Sequence, residues 1–261
     1  MRPRPVCLVT GAARRIGREI AIELAAHGWD VAVHYRHSRG AAQETVRACV
    51  ALGARADEFQ ADLSIEGACG ALIGEVVERL GRADGVVNNA SLFEADDAAS
   101  FTLAAMERHW RANTAPPVLL TSALHRHLLA RDADGCVVNL LDQKLWNPNP
   151  DYFSYTLSKA ALQCATVMLA QACAPRLRVC GVAPGVTLAS TEMSEAQFAA
   201  AQRLTPLQRS STPHDVARAV RYLLEAPAVT GTTLLVDGGQ HLAAQPRDVI
   251  FLTRGAAGAA A

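Results

Sequence analysis

Short runs of β-branched and aliphatic residues alternate with longer segments of helical periodicity along almost the whole chain. Repeated strand, helix, strand units favour a parallel sheet with helices on both faces. The predicted strands are Val6–Thr10, Trp29–His34, Arg55–Ala61, Gly85–Asn88, Cys136–Leu141, Leu177–Val182 and Thr233–Val236. The predicted helices are Gly17–His27, Gly40–Leu52, Glu66–Leu80, Met106–Arg131, Phe153–Ala174 and Pro213–Leu224. The pattern therefore predicts an α/β fold with a doubly wound, seven-stranded parallel sheet.

No internal repeat or linker interrupts this pattern, so residues 1–261 are predicted to form a single Rossmann-type domain for dinucleotide binding and catalysis. Residues 187–211 lack a strand pattern and carry one short helical stretch, Glu192 to Gln202. This combination indicates a mobile flap over the substrate. The small-residue tail, residues 254–261, is expected to be frayed.

Charge and cysteine content exclude several classes of function. The chain has 25 basic and 25 acidic side chains, so no overall field draws it to nucleic acid or to an anionic membrane. Its seven cysteines include no Cys-x-x-Cys pair, and the histidines at 125 and 127 lack acidic or cysteine partners, so no metal site is predicted. Without a long apolar run, we expect a cytoplasmic protein that acts on a small molecule.

A glycine turn directly follows the first predicted strand, where residues 10–17 read TGAARRIG. Free N–H groups at the start of the next helix can bind a dinucleotide pyrophosphate there. Taken alone, the turn is equally consistent with an ordinary strand-to-helix connection. The residues predicted to contact the cofactor here are Gly11, Arg14, Arg15, Ile16 and Gly17.

The second strand ends in the sequence HYRHS, with no acidic residue. Enzymes that prefer NAD place an acid there for the ribose 2′-hydroxyl, whereas NADP needs donors for its 2′-phosphate. NADPH is therefore the predicted cofactor, and a solvated basic loop is the alternative. The residues predicted to contact the cofactor at this point are His34, Tyr35, Arg36, His37 and Ser38.

Tyr155 and Lys159 stand four residues apart in a predicted helix, so their side chains share one face. They follow the fifth strand, near the edge where ligands of doubly wound sheets bind. We expect the ammonium group of Lys159 to lower the tyrosine pKa from about 10 toward working pH. The pair is therefore the candidate for proton transfer.

Together with Asn88, Asn89 and Ala90 after the fourth strand, these motifs closely resemble the short-chain dehydrogenase/reductase family over roughly residues 6–239. The resemblance implies a homotetramer. It also implies that Asn113 supports a water relay to Lys159, which would in addition bind the nicotinamide ribose. The further cofactor contacts implied by the resemblance are Asp62 and Leu63 at the adenine, Asn89, Ala90 and Ser91 along the cofactor, and Pro184, Gly185, Val186 and Thr187 at the nicotinamide.

The chain departs from the family at Asp142, since most members have serine thirteen residues before the tyrosine. A carboxyl group there can share a proton with Tyr155, which suits reduction of a C=N bond. The pteridine reductases are similar in this respect, and they also have arginine at the position of Arg15 and a His-Tyr stretch after the second strand. They further have serine and phenylalanine at the positions of Ser91 and Phe93.

This narrower resemblance implies a substrate site in which Phe93 stacks on a flat heterocycle. Arg15 would contact the carbonyl of that heterocycle or the pyrophosphate, and Ser91 would bridge the two. The predicted substrate contacts are Arg15, Ser91, Phe93, Asp142 and Tyr155. Structural roles remain open: Phe93 packing under the flap, Asp142 capping a turn, and Arg15 binding pyrophosphate alone.

Three other functions stay open. One is a carbonyl or 3-oxoacyl-thioester reductase, in which Tyr155 protonates an alkoxide. Another is an enoyl-thioester reductase, because Tyr152 and Lys159 fit a wider spacing. The third is a non-catalytic NADPH sensor. Among pteridines, the sequence does not distinguish dihydrobiopterin, dihydromonapterin and dihydrofolate.

Overall fold

The computed structural model describes residues 4–189 and 193–253, and it confirms the predicted α/β fold. Seven strands form one sheet in the order β3-β2-β1-β4-β5-β6-β7, and every neighbouring pair is parallel. The strands are β1 (Val6–Val9), β2 (Asp30–Tyr35), β3 (Ala56–Gln60), β4 (Gly85–Asn88), β5 (Gly135–Leu140), β6 (Leu177–Pro184) and β7 (Thr233–Val236). The tail predicted to fray, residues 254–261, lies outside the described residues.

Helices cover both faces of this sheet. They are α1 (Arg15–Ala26), α2 (Arg39–Ala51), α3 (Glu66–Leu80), α4 (Leu103–His109), α5 (Ala115–Arg131), α6 (Phe153–Ala172), α7 (Glu195–Arg203), α8 (Pro213–Glu225) and α9 (Val249–Leu252). Successive strand side chains point to opposite faces, so Val9 and Val33 pack under α1, α2 and α8. Leu8 and Ala32 pack under α3, α5 and α6. Two apolar layers therefore hold the sheet between the helices.

The helix predicted over Met106–Arg131 is interrupted. A π-helical turn, Trp110–Thr114, separates α4 from α5. Pro116 and Pro117 follow it, and because proline has no N–H, the carbonyls of residues 112 and 113 lack their usual helical donors. These two prolines explain why the predicted single helix is divided.

The predicted flap contains α7, which begins with a capping box between Ser194 and Gln197. The predicted helical stretch is thus present, although it starts at Glu195 instead of Glu192. Residues 190–192 lie outside the described residues, and the mobility of the flap stays a prediction.

The carboxyl ends of β1, β4, β5 and β6 meet at one edge of the sheet, called here the carboxyl edge. The chain order reverses beside β1, where crossovers leave in opposite directions and a crevice forms. Within the described ranges, no helix is both long and apolar enough to cross a membrane.

Candidate active site

The turn between β1 and α1 has no side chains at Gly11 and Gly17, so neighbouring groups can lie close to its backbone. Gly11 has a φ of 63°, and a Cβ on Gly17 would lie 2.5 Å from Asn89 Nδ2, which leaves no room for a side chain. Helix α1 begins after Arg14, with no side-chain cap and no acid in its first turn. Its first N–H groups are therefore available to an anion.

Thr10 and Asn89 support this turn from the neighbouring strand. The Thr10 hydroxyl accepts the backbone N–H groups of Asn89 and Ala90 at 2.9 and 3.0 Å. Asn89 Nδ2 donates to the carbonyls of Thr10 and Gly11 at 2.8 and 3.2 Å. The side chain of Asn89 thus fixes the backbone on which a cofactor would lie.

The end of β2 corrects part of the sequence prediction. His34 is buried, its Nδ1 accepts the N–H of Gly11 at 3.1 Å, and its Nε2 donates to the Ala61 carbonyl at 3.1 Å. Burial lowers the pKa of His34 to about 4, so the imidazole is neutral. It supports the backbone of the glycine turn and does not donate a hydrogen bond to the 2′-phosphate. Tyr35 is likewise buried in the core under α1 and α2.

Arg36 remains at the surface of the carboxyl edge. Its guanidinium contacts Asp62 at 2.7 Å, so the residue predicted for the 2′-phosphate and the one predicted for the adenine are neighbours. Hydrogen bonds from Ser64 lower the pKa of Asp62, which favours its charged form. The loop residues His37 and Ser38 stay accessible beside this pair, whereas Leu63 is mostly buried.

Tyr155 and Asp142 meet from α6 and from the end of β5. The Tyr155 hydroxyl donates to Asp142 Oδ2 at 2.9 Å, and the backbone N–H of Lys144 donates to Oδ1 at 2.9 Å. Asp142 therefore both caps a turn and holds the tyrosine. Lys159 Nζ lies 5.8 Å from the centre of the Tyr155 ring and donates to the Leu140 carbonyl at 2.7 Å.

Burial favours the neutral forms of these three side chains. Burial raises the pKa of Tyr155 well above its usual value, and the Asp142 carboxyl raises it further. Burial also raises the pKa of Asp142 and lowers that of Lys159 to about 8. The expectation that Lys159 brings Tyr155 toward the phenolate is wrong for this geometry, because lost hydration and the nearer carboxyl outweigh the ammonium.

Asn113 links the segment after β4 to α6. Its Nδ2 donates to the Leu92 carbonyl at 2.9 Å and to Ser158 Oγ at 3.0 Å. Its Oδ1 accepts from Leu92 N at 2.7 Å and from Ser91 Oγ at 3.1 Å. The side chain thus positions Ser91, and the water relay from Asn113 to Lys159 stays a prediction.

A cavity of about 340 Å³ opens over these groups. The predicted residues that line it are Arg15, Ile16, Asn89, Ser91, Phe93, Asp142, Tyr155, Lys159, Pro184, Gly185, Val186 and Thr187. The ring of Phe93 stacks on Tyr152 with the ring centres 4.1 Å apart, and it lies perpendicular to the ring of Tyr155 with the centres 4.7 Å apart. One face of Phe93 is therefore covered by protein while the ring still borders the cavity.

A larger cavity, about 740 Å³, runs along α4, α5 and α6 and is lined by apolar residues such as Met106, Trp110, Val118 and Leu157. It contains none of the side chains of Asp142, Tyr155, Lys159 and Asn113. The smaller cavity is therefore the candidate active site.

Sequence reasoning missed several residues of this site. Lys144, Gln240 and the segment Asp248–Ile250 also line the cavity, and Tyr152 stacks on Phe93. The C-terminal residues carry no motif, and only the fold brings them to this edge. Across residues 4–189 and 193–253, no cluster of three His, Cys, Asp or Glu side chains is arranged to bind a metal ion.

Comparisons with known proteins agree with this geometry. Residues 11–241 match the family model described as enoyl-(acyl carrier protein) reductase. The crystal structure of FolM alternative dihydrofolate reductase 1 from Brucella canis, complexed with NADP, is similar with a TM-score of 0.85 and 41% identity, covering 94% of this chain and 97% of that one.

Two curated relatives are similar over nearly their whole length. Pteridine reductase 1 of Leishmania tarentolae is 31% identical, with 91% of this chain and 96% of the relative covered. A 3-oxoacyl-[acyl-carrier-protein] reductase of Synechocystis is 32% identical, with 90% and 96% covered. With the glycine turn and the Tyr155 and Lys159 pair in one cavity, these matches show that the chain belongs to the short-chain dehydrogenase/reductase family.

Proposed function

We propose that this chain is an NADPH-dependent reductase of a dihydropterin or related pteridine, with Tyr155 as proton donor assisted by Asp142 and Lys159. The similarity to an NADP complex at 41% identity supports the cofactor. The observation that supports a pteridine substrate is the 2.9 Å hydrogen bond from the Tyr155 hydroxyl to Asp142, beside the ring of Phe93.

The residues at the carboxyl edge fit a phosphorylated dinucleotide. The first turn of α1 offers N–H groups to the pyrophosphate, and Arg36 at the end of β2 offers a guanidinium to the 2′-phosphate. When bound, NADPH supplies the hydride. Lys159 lies in the same cavity, where the family resemblance assigns it to the nicotinamide ribose.

The proton comes from the protein. As a C=N bond gains hydride at carbon, its nitrogen takes the proton of the Tyr155 hydroxyl, and protonated Asp142 replaces that proton through their hydrogen bond. A carboxyl group can do this only while protonated, and its raised pKa extends the pH range in which it is. A flat heterocycle would lie against the exposed part of the Phe93 ring that borders the cavity.

A second candidate is reduction of a carbonyl or 3-oxoacyl thioester, favoured by the similarity to the Synechocystis enzyme. Tyr155 and Lys159 suffice for that reaction, and Asp142 would then have no chemical task. An enoyl-thioester reductase is favoured less, because Tyr152 stacks on Phe93 while Tyr155 contacts the carboxyl group.

NADPH oxidation by purified enzyme distinguishes these candidates when measured with oxidised and dihydro pterins, dihydrofolate, a ketone and an acetoacetyl thioester. We expect turnover of a pterin or dihydrofolate, with Tyr155→Phe as the inactive control. Efficient reduction of the ketone or the thioester, with none of any pterin, would overturn the proposal. The cytoplasmic location and the homotetramer stay predictions, and size-exclusion chromatography with light scattering tests the latter.

A further inference from the structure

The chain has only two lysines among its 25 basic residues, Lys144 and Lys159. Both are buried, each 3% exposed, and both line the candidate active site. Lys159 belongs to the family motif, whereas Lys144 lies two residues after Asp142 in a segment without a motif. Burying an ammonium group costs free energy unless a partner compensates it, so the environment of Lys144 indicates what it does.

Lys144 is held by the end of its own loop and by the C-terminal part of the chain. Its Nζ donates to the Asp151 carbonyl and lies 3.4 Å from Asp248 Oδ2. The Asp151 carboxylate in turn accepts from Arg247 Nε at 2.8 Å and from Asp248 N at 2.7 Å. A network of two acids and two bases thus joins the loop after β5 to the segment that begins α9.

This loop joins the donor pair at one end to the aromatic wall of the cavity at the other. Its first residue, Asp142, accepts from the backbone N–H of Lys144, and its last, Tyr152, lies under the Lys144 ammonium at 5.3 Å and stacks on Phe93. Any shift of Lys144 would therefore move the carboxyl group and the aromatic wall together.

We propose that Lys144 and Asp248, which contact each other, are positioning residues for the Asp142 and Tyr155 donor pair, which makes the segment Asp248–Ile250 part of the active site. The proposal rests on the donor pair of the proposed function and not on the identity of the substrate. Neither side chain needs to contact the reacting atoms.

The two charges affect Asp142 in opposite directions. Burial is the largest cause of its raised pKa, the negative charge of Asp248 raises the pKa further, and the positive charge of Lys144 lowers it. The other charged or titratable groups around the carboxyl are Tyr155 and Lys159 from α6, with Arg15 across the cavity. Removing one partner of the pair should therefore shift the titration of Asp142 in a direction set by which partner is lost.

The test compares Asp248→Asn with Lys144→Met. In Asp248→Asn the pKa of Asp142 falls, so the pH at which activity declines should move down by roughly one unit. In Lys144→Met it should move up by a similar amount. Glu23→Gln is the matched control, because Glu23 forms a partly buried ion pair with Arg221 between α1 and α8, away from the cavity. It should lower stability and leave the pH profile unchanged.

A titration of the aspartates by ¹³C carboxyl NMR, with the Asp142 signal identified by its loss in Asp142→Ser, reads the same shifts without any turnover. This readout tests the inference even if no pterin is reduced, so failure of the proposed function is seen separately in the substrate panel. If Lys144→Met does not fold, the nearly isosteric Asp248→Asn still gives the downward shift. Unchanged Asp142 titration in folded Asp248→Asn, or shifts of the pH profile that persist in the Asp142→Ser background, would overturn the proposal.

Discussion

Two aspartates at opposite edges of the same sheet show how the environment decides what a carboxyl group does. Asp84 lies before β4, at the amino edge, where Arg82 binds it through two contacts at 2.6 and 2.7 Å and Arg131 through one at 3.1 Å. Asp142 lies after β5, at the carboxyl edge, where its contacts are the Tyr155 hydroxyl and a backbone N–H.

The two environments shift the pKa values in opposite directions. Burial alone would raise the pKa of Asp84, but hydrogen bonds from Arg82, Val6 N and Arg131 hold it below the usual range. At Asp142, burial prevails and the pKa is raised. The amino edge thus uses its carboxylate for stability, whereas the carboxyl edge retains a group that can give up a proton.

The largest expected effect is at the carboxyl edge. Tyr155→Phe removes the hydroxyl that donates to Asp142 and leaves the ring contact with Phe93 in place. We expect kcat to fall by roughly 10²- to 10⁴-fold while the NADPH Kd stays nearly unchanged. Stopped-flow turnover and fluorescence titration measure the two quantities. Near-normal turnover would remove Tyr155 from the mechanism and make Tyr152 the next candidate.

At the amino edge, we expect a substitution to lower stability instead of turnover. Asp84→Asn breaks the contacts with Arg82 and Arg131 and should cost about 2 to 3 kcal/mol of unfolding free energy, since both arginines are partly exposed. The wild-type contribution is present above the pKa of an unfolded aspartate and is lost as pH falls through the lowered folded value. Urea unfolding at pH 7 and pH 3 measures it. A change in kcat of the folded variant would contradict the division between the edges.

Much of this contrast was predictable from sequence, and the missing parts have physical causes. The strands follow from the pattern of apolar residues, and the Tyr155 and Lys159 pair follows from helical periodicity, because residues four apart share a helix face. The burial of His34 cannot be predicted in this way, since its two ring nitrogens bond to Gly11 and Ala61, which lie far apart in sequence. The raised pKa of Tyr155 cannot be inferred from sequence, because its burial and its contact with Asp142 exist only in the folded chain.

Lys144 shows what further signal the sequence holds. One of only two lysines in an arginine-rich chain, placed two residues from Asp142, could have been singled out by its rarity. Its partner Asp248 could not, because 104 residues separate them and only the path of the chain after β7 joins them.

Arg36 and Asp62 test the contrast between the two edges, since they form an arginine–carboxylate pair at the carboxyl edge, where Asp142 has no arginine partner. If Arg36 serves the 2′-phosphate, Arg36→Ala should narrow the preference for NADPH over NADH by about 1 to 3 kcal/mol, the size of a lost charge-assisted contact. Because the pair is exposed, stability should change little. Arg39→Ala, at a nearby exposed pair with Glu58, is the control. Equal narrowing in both variants would indicate only a general charge effect.

Asp142→Ser tests the proton role directly and should have a smaller effect than Tyr155→Phe. Serine restores the common family arrangement, so pterin turnover should fall by about tenfold at pH 6 while any ketone reduction is kept or improved. In the wild type, activity declines as pH rises through the raised pKa of Asp142, and this decline should disappear in the variant. Rates across pH 5 to 9 measure it. Unchanged pterin turnover would show that Asp142 only caps the turn.

Arg15 gives the smallest and most local test, because among the described residues this arginine of the carboxyl edge contacts the Ala189 carbonyl, at 3.3 Å, and no carboxylate. Its φ of 56° is a left-handed conformation that glycine adopts more easily. Arg15→Gly should therefore leave stability unchanged or raise it by up to about 1 kcal/mol, while the pterin KM rises by roughly threefold as the guanidinium is lost. Arg14→Gly removes the same charge at an extended φ of −149°, so it should not gain stability. If Arg15→Gly lowers stability and leaves KM unchanged, the guanidinium serves the fold and not the substrate.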